Sequence, residues 1–260
     1  MIELKNICCS YDQEPVLKGL SVELSQDDFT VILGPNGAGK STLLYSIMGF
    51  LRPSSGEIFL EGRSLFSYKR GELARKMAFV AQESVFSFDY TVEDMVLMGR
   101  YPYQGLLENL KARDREVTQE ALSSLDLGAY SRRWYSQLSG GEKQRVLLAR
   151  ALAQETDYIL LDESLSQLDI NHQIEIMSLL SRIRKEQGKG IVLISHNLNL
   201  AANFASRIIF LKQGILMGSG SPEEMMQPEL LKQVFGLELQ TIVNPLSGQR
   251  NILYPVTSNE

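Results

Sequence analysis

A glycine-rich segment at residues 34–42, GPNGAGKST, limits the possible folds of this chain more than any other feature. It follows a short run at residues 29–33 that predicts a buried strand, and it precedes residues 41–49, which have helical composition. Glycines let the backbone curl so that successive N–H groups point at one anion, and the positive end of the following helix adds to the attraction. The segment fits G-x-x-x-x-G-K-[ST] in the strand–loop–helix context that identifies a phosphate-binding loop.

The loop predicts a nucleotide site. Lys40 can reach the β- and γ-phosphates as a point charge, and the Ser41 hydroxyl can ligate Mg²⁺. A glycine-rich turn that happens to precede Lys-Ser is the alternative interpretation. The predicted phosphate-binding residues are Gly34, Pro35, Asn36, Gly37, Ala38, Gly39, Lys40, Ser41 and Thr42.

Two acids follow the apolar run at residues 158–161, at the carboxyl end of a predicted strand, where ligands bind in open α/β sheets. Phosphoryl transfer requires a carboxylate that orients the metal and a group that activates water. We expect Asp162 to hold Mg²⁺, directly or through its water, and Glu163 to act as general base. A strand that ends in two solvated acids is the alternative.

The composition is that of an ordinary globular protein. The 260 residues include 26 Lys+Arg and 31 Asp+Glu, a formal net charge of −5, with 44% apolar and 22% charged residues. This excludes disorder, and mild acidity without a basic block argues against nucleic-acid binding. The longest apolar run, at residues 77–81, is far shorter than the ~20 residues of a membrane helix, and residues 1–14 fit no secretory signal. We expect a soluble, cytoplasmic protein.

Strand and helix patterns alternate along most of the chain, which predicts an α/β fold with a mainly parallel sheet and helices on both faces. A helix-rich stretch from about residue 91 to 153 predicts an inserted subdomain, and the tail from residue 241 has no clear pattern. Predicted strands are 2–8, 16–24, 29–33, 57–60, 77–81, 158–161 and 191–194; predicted helices are 41–49, 116–125, 142–153 and 173–187.

Residues 138–145, LSGGEKQR, indicate a second anion-binding helix start, because a capping Ser139 precedes Gly140 and Gly141. A well-capped helix without a ligand is the alternative. The motif resembles the LSGGQ signature of the ATP-binding subunits of ABC transporters, with Glu142 in place of Gln. This resemblance covers nearly the whole chain, with the motifs in the order of that family.

The resemblance implies roles for further residues. Tyr11 matches the aromatic residue that stacks on adenine, and Gln82 matches the Q-loop glutamine. Residues 166–169, SQLD, match the D-loop with its Asp169, and His196 matches the switch histidine. His172 has no such match and is predicted to be a surface or helix-start residue.

The implied catalytic residues are Lys40, Gln82, Glu163 and His196, and the implied Mg²⁺ ligands are Ser41, Gln82 and Asp162. The resemblance also implies that the signature of one copy caps ATP held by the phosphate loop of another, so that two ATPs are sandwiched in a head-to-tail dimer. Ser139, Gly140, Gly141 and Asp169 are then part of the ATP site.

The implied architecture is a P-loop NTPase core with a mainly parallel sheet, an N-terminal antiparallel β region and an α-helical subdomain inserted at about residues 83–156. The domain extends over residues 1–240, and residues 241–260 form a C-terminal tail. The sequence departs from the family pattern at Ser164, where proline is usual, and at Asn197, where an acid is usual. Neither departure removes a predicted catalytic atom.

A finer resemblance involves residues 90–103, YTVEDMVLMGRYPY, which are similar to the GRxP-containing stretch in ATPases of iron(III)-siderophore, haem and cobalamin importers; residues 244–255 are also similar to that group. It implies permease subunits in the membrane, a substrate-binding protein, and a peripheral position at the cytoplasmic face. A helix followed by a proline turn is the alternative for this stretch. A molybdate-type or other ABC importer and a soluble non-transport ABC ATPase stay open as alternatives.

Overall fold

Strands and helices alternate along most of the chain, as the sequence predicts. The structure, a computed structural model, describes residues 1–11, 14–82, 88–105, 110–166 and 168–254. Its strands are β1 (Ile2–Tyr11), β2 (Glu14–Leu24), β3 (Phe29–Leu33), β4 (Ser55–Leu60), β5 (Arg63–Ser64), β6 (Met77–Val80), β7 (Tyr158–Leu161), β8 (Gly190–Ile194), β9 (Arg207–Lys212), β10 (Ile215–Gly220), β11 (Gln240–Val243) and β12 (Arg250–Leu253). Its helices are α1 (Lys40–Ile47), α2 (Arg70–Ala74), α3 (Val92–Leu97), α4 (Ala112–Ser124), α5 (Gly140–Ala153), α6 (Ile170–Gln187), α7 (Leu198–Phe204), α8 (Pro222–Met225) and α9 (Pro228–Phe235).

The chain divides into two units, residues 1–67 with 177–260 and residues 68–176. The predicted domain limits, with an insertion at about residues 83–156 and a tail from 241, stay a prediction. Among the described residues, no helix has the length and hydropathy that crossing a bilayer requires.

An antiparallel sheet opens the first unit, in the strand order β2-β1-β4-β5. Ile2 of β1 lies opposite Leu24 of β2 and Leu60 of β4, and all three side chains are fully buried. Buried and exposed residues alternate along β2, as expected for a sheet with one face on the core. The predicted N-terminal antiparallel region is confirmed.

A second, mixed sheet of the first unit carries the predicted phosphate loop. β3 pairs in parallel with β8 and with β9, and β10 is antiparallel to β9. Every residue of β3 and β8 is buried, which explains their nearly unbroken apolar sequences. Because Ile32 of β3 lies opposite Ile194 of β8, the segments that follow these two strands leave the sheet at the same edge.

The second unit contains the parallel pair β6 and β7, whose register extends from Met77 opposite Tyr158 to Val80 opposite Leu161. Helix α5 packs against α3 and α4, and its buried face is formed by apolar residues such as Val146 and Leu148. The prediction of helices in this part of the chain is confirmed. Gln82 follows β6, and the two acids Asp162 and Glu163 follow β7.

A buried arginine fixes the carboxyl end of α5. Arg100 is only 3% exposed; its Nε donates to the Asp114 carboxylate at 3.0 Å, and its Nη1 donates to the Ala153 carbonyl at 2.6 Å and to Glu155 at 2.7 Å. The preceding Gly99 lies so close to α5 that a Cβ would be 2.3 Å from the Arg150 carbonyl oxygen. Residues 99–102, the GRYP stretch, therefore join α3, α4 and α5.

The tail from residue 241, which the sequence left without a pattern, contributes to a hairpin of β11 and β12. The Asn199 side chain on α7 accepts a hydrogen bond from the Ile252 N–H at 2.7 Å and donates to the Ile252 carbonyl at 3.2 Å. A side-chain amide thus pairs with β12 as a neighbouring strand would. Pro255 and the residues after it lie outside the described residues.

We predict that Arg100→Ala destabilises the protein by about 3 kcal/mol, because the buried carboxylate of Asp114 would lose its charged partner. Arg113→Ala is the matched control, since Arg113 is largely exposed and its ion pairs should contribute about 1 kcal/mol or less. Urea unfolding measures both values. Similar losses in the two variants would contradict the assigned role of Arg100.

Candidate nucleotide site

The glycines of the phosphate loop are required by close backbone contacts. A Cβ at Gly34 would lie 2.1 Å from the Leu211 carbonyl oxygen, and one at Gly39 would lie 2.8 Å from the Leu17 side chain. Gly37 and Gly39 both have positive φ, at 73° and 94°. A side chain at these positions would displace neighbouring backbone or strain the turn, so the loop keeps its curled path only with glycine.

The start of α1 has the chemistry of an anion site. Its N-cap is Gly39, which has no side chain to cap the first N–H groups. Lys40 is only 5% exposed, and its Nζ donates to the carbonyl oxygens of Gly34 at 3.0 Å and Pro35 at 3.1 Å. The ammonium group therefore lies over the loop. Backbone donors, a helix N-terminus and a lysine fit a chain of phosphates.

Other predicted residues of the first unit lie at strand ends. His196 is exposed and follows β8 at the edge of the sheet from which the phosphate loop departs. Asn197 is the N-cap of α7, and its side chain accepts a hydrogen bond from the Leu200 N–H at 3.0 Å. An aspartate would accept the same bond, so this departure leaves the cap intact. Tyr11 ends β1 with a side chain that is about half exposed.

In the second unit the ends of β6 and β7 bring three predicted residues together. Asp162 is buried, and its N–H donates to the Val80 carbonyl of β6 at 3.0 Å. The Gln82 side-chain nitrogen lies 3.5 Å from a Glu163 carboxylate oxygen, a long contact. Glu163 has φ of 41°, which is rare outside glycine and is often associated with functional sites.

Ser164, the residue with proline in the family pattern, is buried, and its hydroxyl has no hydrogen-bond partner among the described residues. Proline has no hydroxyl group to bury. The serine therefore places a buried hydroxyl next in sequence to Glu163, the candidate base. Gln167 of the predicted D-loop lies outside the described residues.

The signature segment forms a capped helix start. The Ser139 N–H donates to the Glu142 carboxylate at 2.8 Å, and the Glu142 N–H donates to the Ser139 hydroxyl at 3.3 Å. The Ser139 hydroxyl also donates to this carboxylate at 2.7 Å. This reciprocal capping box explains why Glu142 can replace the usual Gln. The N-terminus of α5 is capped by side chains, whereas the N-terminus of α1 has no side-chain cap.

Leu168 of the D-loop and His172 of α6 lie over the two signature glycines, which sequence reasoning did not predict. A Cβ at Gly140 would be 3.6 Å from the Leu168 side chain, and a Cβ at Gly141 would be 2.4 Å from Cδ2 of His172. His172 also contacts Asp169, with Nδ1 2.7 Å from a carboxylate oxygen. The Asp-x-x-His spacing at a helix start is the sequence signal that could have indicated this pair.

We predict that Glu142 supports the start of α5 only while it is ionised. Its pKa is lowered because its carboxylate accepts hydrogen bonds from the backbone N–H and then the hydroxyl of Ser139. With a lowered folded-state pKa, the contribution is complete above the ordinary glutamate pKa of about 4.3 and disappears as pH falls through the folded-state value.

Glu142→Ala should therefore lose about 1 kcal/mol at pH 7, whereas Glu142→Gln keeps an uncharged capping side chain. The free energy of unfolding, followed from pH 7 to acid, should fall less in Glu142→Gln than in the wild type. An equal fall in the two proteins would contradict the assignment.

Curated proteins similar to this chain are ATP-binding proteins of importers. The ferric enterobactin transport ATP-binding protein FepC of Escherichia coli (strain K12) is 36% identical over 244 residues, 94% of this chain and 90% of FepC. The petrobactin import ATP-binding protein YclP of Bacillus subtilis (strain 168) is 38% identical over 95% of this chain and 98% of YclP. The hemin import ATP-binding protein HmuV of Rhizobium meliloti (strain 1021) is 38% identical over 94% of this chain and 95% of HmuV.

Solved structures of ABC proteins share the fold. A metal-chelate type ABC transporter in an inward-facing conformation aligns with a TM-score of 0.85 and 30% identity, covering 97% of this chain and 96% of that chain. The dimeric bacterial ABC transporter cassette MJ0796 aligns with a TM-score of 0.74 and 31% identity, covering 85% of this chain and 98% of that one. The sequence model of the family described as "ABC transporter" matches residues 17–166 of this chain. The chain belongs to this family and is an ABC ATPase.

Proposed function

We propose that this chain is the ATP-hydrolysing subunit of an importer for iron(III)-siderophores or related metal chelates such as haem and cobalamin. The observation that carries the proposal is the pair of glycine-dependent helix starts, at α1 and α5, in one chain. Only the first has the lysine of a phosphate loop. The relatives named for ferric enterobactin, petrobactin and hemin support the choice of cargo.

ATP binding is assigned to the phosphate loop. The backbone N–H groups of residues 34–42 would bind phosphate oxygens, and Lys40 would exchange its loop carbonyl partners for the β- and γ-phosphates. Tyr11 would stack on the adenine, which agrees with its half-exposed ring at the end of β1. Stacking is equally strong in the ground and transition states, so it contributes to affinity rather than to turnover.

Magnesium is proposed as the metal cofactor. Ser41, Gln82 and Asp162 all offer oxygen atoms, the ligand type that Mg²⁺ prefers. When bound, Mg²⁺ would neutralise charge on the β- and γ-phosphates.

Water activation is assigned to Glu163. This residue lies directly after β7, at the carboxyl end of a parallel strand, where ligands bind in open α/β sheets. Gln82, with its amide 3.5 Å from the Glu163 carboxylate, would help to orient that group and the water. His196, exposed after β8, would contribute a hydrogen bond at the γ-phosphate.

The signature residues are proposed to act on the ATP of a second copy. Ser139, Gly140 and Gly141 open a helix of 14 residues whose N-terminal dipole favours an anion. Asp169 in the D-loop would face the same nucleotide. Two copies in head-to-tail orientation would then enclose two ATPs, and the dimeric cassette among the similar structures supports this arrangement.

We predict that Glu163→Gln abolishes most hydrolysis but not ATP binding, since loss of a general base typically lowers the rate 10²–10⁴-fold. Bound ATP then persists, so stable dimers should accumulate. Adding Ser139→Arg should reverse this by placing a bulky cation at the γ-phosphate of the partner copy. Light scattering with MgATP should report dimers for the first variant and monomers for the double variant.

Two outcomes would contradict the assignment. Glu163→Gln that binds ATP yet stays monomeric would show that the signature does not act in trans in the isolated subunit. Hydrolysis by Glu163→Gln at the wild-type rate would show that Glu163 is not the base.

The remaining partners are proposed to be permease subunits in the membrane and, through them, a substrate-binding protein, with this subunit peripheral at the cytoplasmic face. Tyr101 supports a docking role for the GRYP stretch. Its side chain is 60% exposed, although the adjacent Arg100 is buried against α4 and α5. We expect the whole of residues 84–103 to meet the permease, and residues 84–87 lie outside the described residues.

We predict that Tyr101→Ala keeps the basal ATPase activity of the isolated subunit within about twofold, because its side chain is mostly exposed. It should instead weaken co-purification with the permease. Tyr254→Ala is the matched control, an equally exposed tyrosine on the other unit, at 63%. Loss of basal activity in Tyr101→Ala would show that the residue is structural.

A further inference from the structure

His172 lies directly over the second signature glycine. An added Cβ at Gly141 would be 2.4 Å from Cδ2, 2.8 Å from Nε2 and 3.0 Å from Cγ of the His172 ring. Glycine at this position therefore makes room for an imidazole of the same chain. The ring covers the side of the α5 start on which a side chain at residue 141 would stand.

The ring is held in place from its other side by the D-loop. Asp169 accepts a hydrogen bond from the His172 N–H at 3.0 Å, and its second oxygen lies 2.7 Å from Nδ1. These contacts lower the pKa of Asp169, so its carboxylate is ionised near neutral pH and can only accept. Nδ1 is then the donor, and the ring orientation is fixed by a charge-assisted hydrogen bond.

Further contacts hold the D-loop against α6 and join α6 to α5. Gln173 donates from Nε2 to the carbonyl oxygens of Leu165 at 3.1 Å and Leu168 at 2.9 Å, which fixes the course of the D-loop. Arg145 of α5 pairs with Glu175 of α6 at 2.6 Å. The signature and the D-loop are thus connected by packing at the glycines and by an ion pair one turn further on.

We propose that His172 is a positioning residue for the ATP site formed with a second copy. Bound to Asp169 and packed on Gly141, it keeps the signature backbone and the D-loop aspartate in one fixed arrangement. The inference rests on the proposed function, in which both segments act on the ATP of the partner. His172 itself needs no contact with the nucleotide.

The contact is tested by a double-mutant cycle on the folded monomer. Gly141→Ala should lower the folded-to-unfolded ratio by about tenfold while His172 is present, because the methyl group displaces the ring. In a His172→Ala background, the same change should not destabilise the protein, since the ring that the methyl group would displace is gone and alanine favours a helix more than glycine does. Equal losses in both backgrounds, measured by urea unfolding, would overturn the proposed contact.

The positioning role is tested in the Glu163→Gln background. His172→Ala should raise the ATP concentration for half-maximal dimerisation about tenfold and leave ATP affinity of the monomer within twofold. His172→Asn retains a donor for Asp169 but lacks the ring atoms over Gly141, so it should be as defective as His172→Ala. Asn171→Ala, an exposed neighbour on α6, is the control and should dimerise like its parent.

The outcomes separate the two proposals. If the Glu163→Gln parent dimerises and His172→Ala dimerises at the same ATP concentration, the positioning role is overturned and the trans site is retained. Full rescue by His172→Asn would likewise overturn it, because capping of α6 alone would then suffice. If the parent stays monomeric at saturating ATP, the proposed trans function fails and this inference fails with it.

Discussion

Glycine at the start of a helix leaves a space that the side chain of any other residue would fill, and this constraint governs both glycine-rich segments of the chain. At α1, glycine at position 34 lets the loop pass within contact of the Leu211 carbonyl. At α5, glycine at position 141 leaves room for the His172 ring. The first site has a buried lysine that donates to the loop carbonyls, whereas the second has a capping box formed by Ser139 and Glu142. The two helix starts therefore have different chemistry, which agrees with different tasks on one triphosphate.

In the second unit, the exposed Tyr101 belongs to a segment that contacts α5, the helix that begins at the signature. Tyr101 is exposed, but Arg100 before it and Tyr103 after it contact the carboxyl end of α5. Arg100 donates to the Ala153 carbonyl, and its guanidinium lies 4.1 Å from the centre of the Tyr103 ring. Closely packed protein interiors transmit strain. A force applied to Tyr101 would therefore be passed to α5 through Arg100. The proposed coupling between permease and ATPase needs such a rigid element.

Local patterns were sufficient to predict most of the buried strands. Residues 29–33 and 158–161 were predicted with the bounds observed for β3 and β7, since strands buried on both faces are apolar throughout. The hairpin of β11 and β12 was missed, because its partner is the side chain of Asn199 on a distant helix. β9 and β10 were not predicted, although β9 is a buried apolar run.

The candidate site was predictable where function depends on a motif and not where it depends on packing. The phosphate loop and the signature each form a contiguous segment whose glycines and caps have a local physical reason. His172 was predicted to be a surface or helix-start residue, and it does lie in the first turn of α6. Its contact with Gly141 was not predicted, because that requires knowing that α6 begins beside this glycine. The replacement of an acid by Asn197 removes no predicted catalytic atom, and the capping of α7 by this residue gives a physical reason for an amide there.

A mixing experiment tests most directly whether each ATP needs residues from two copies. In the Glu163→Gln background, chains with Lys40→Ala lack the phosphate-binding lysine, and chains with Ser139→Arg lack a working signature. Chains of either variant alone can form no complete ATP site, so each variant should stay monomeric with MgATP. A one-to-one mixture can build one complete site per pair, from Lys40 of one chain and Ser139 of the other. The account predicts dimers that retain one ATP each, and a mixture that stays monomeric while the Glu163→Gln parent dimerises would contradict it.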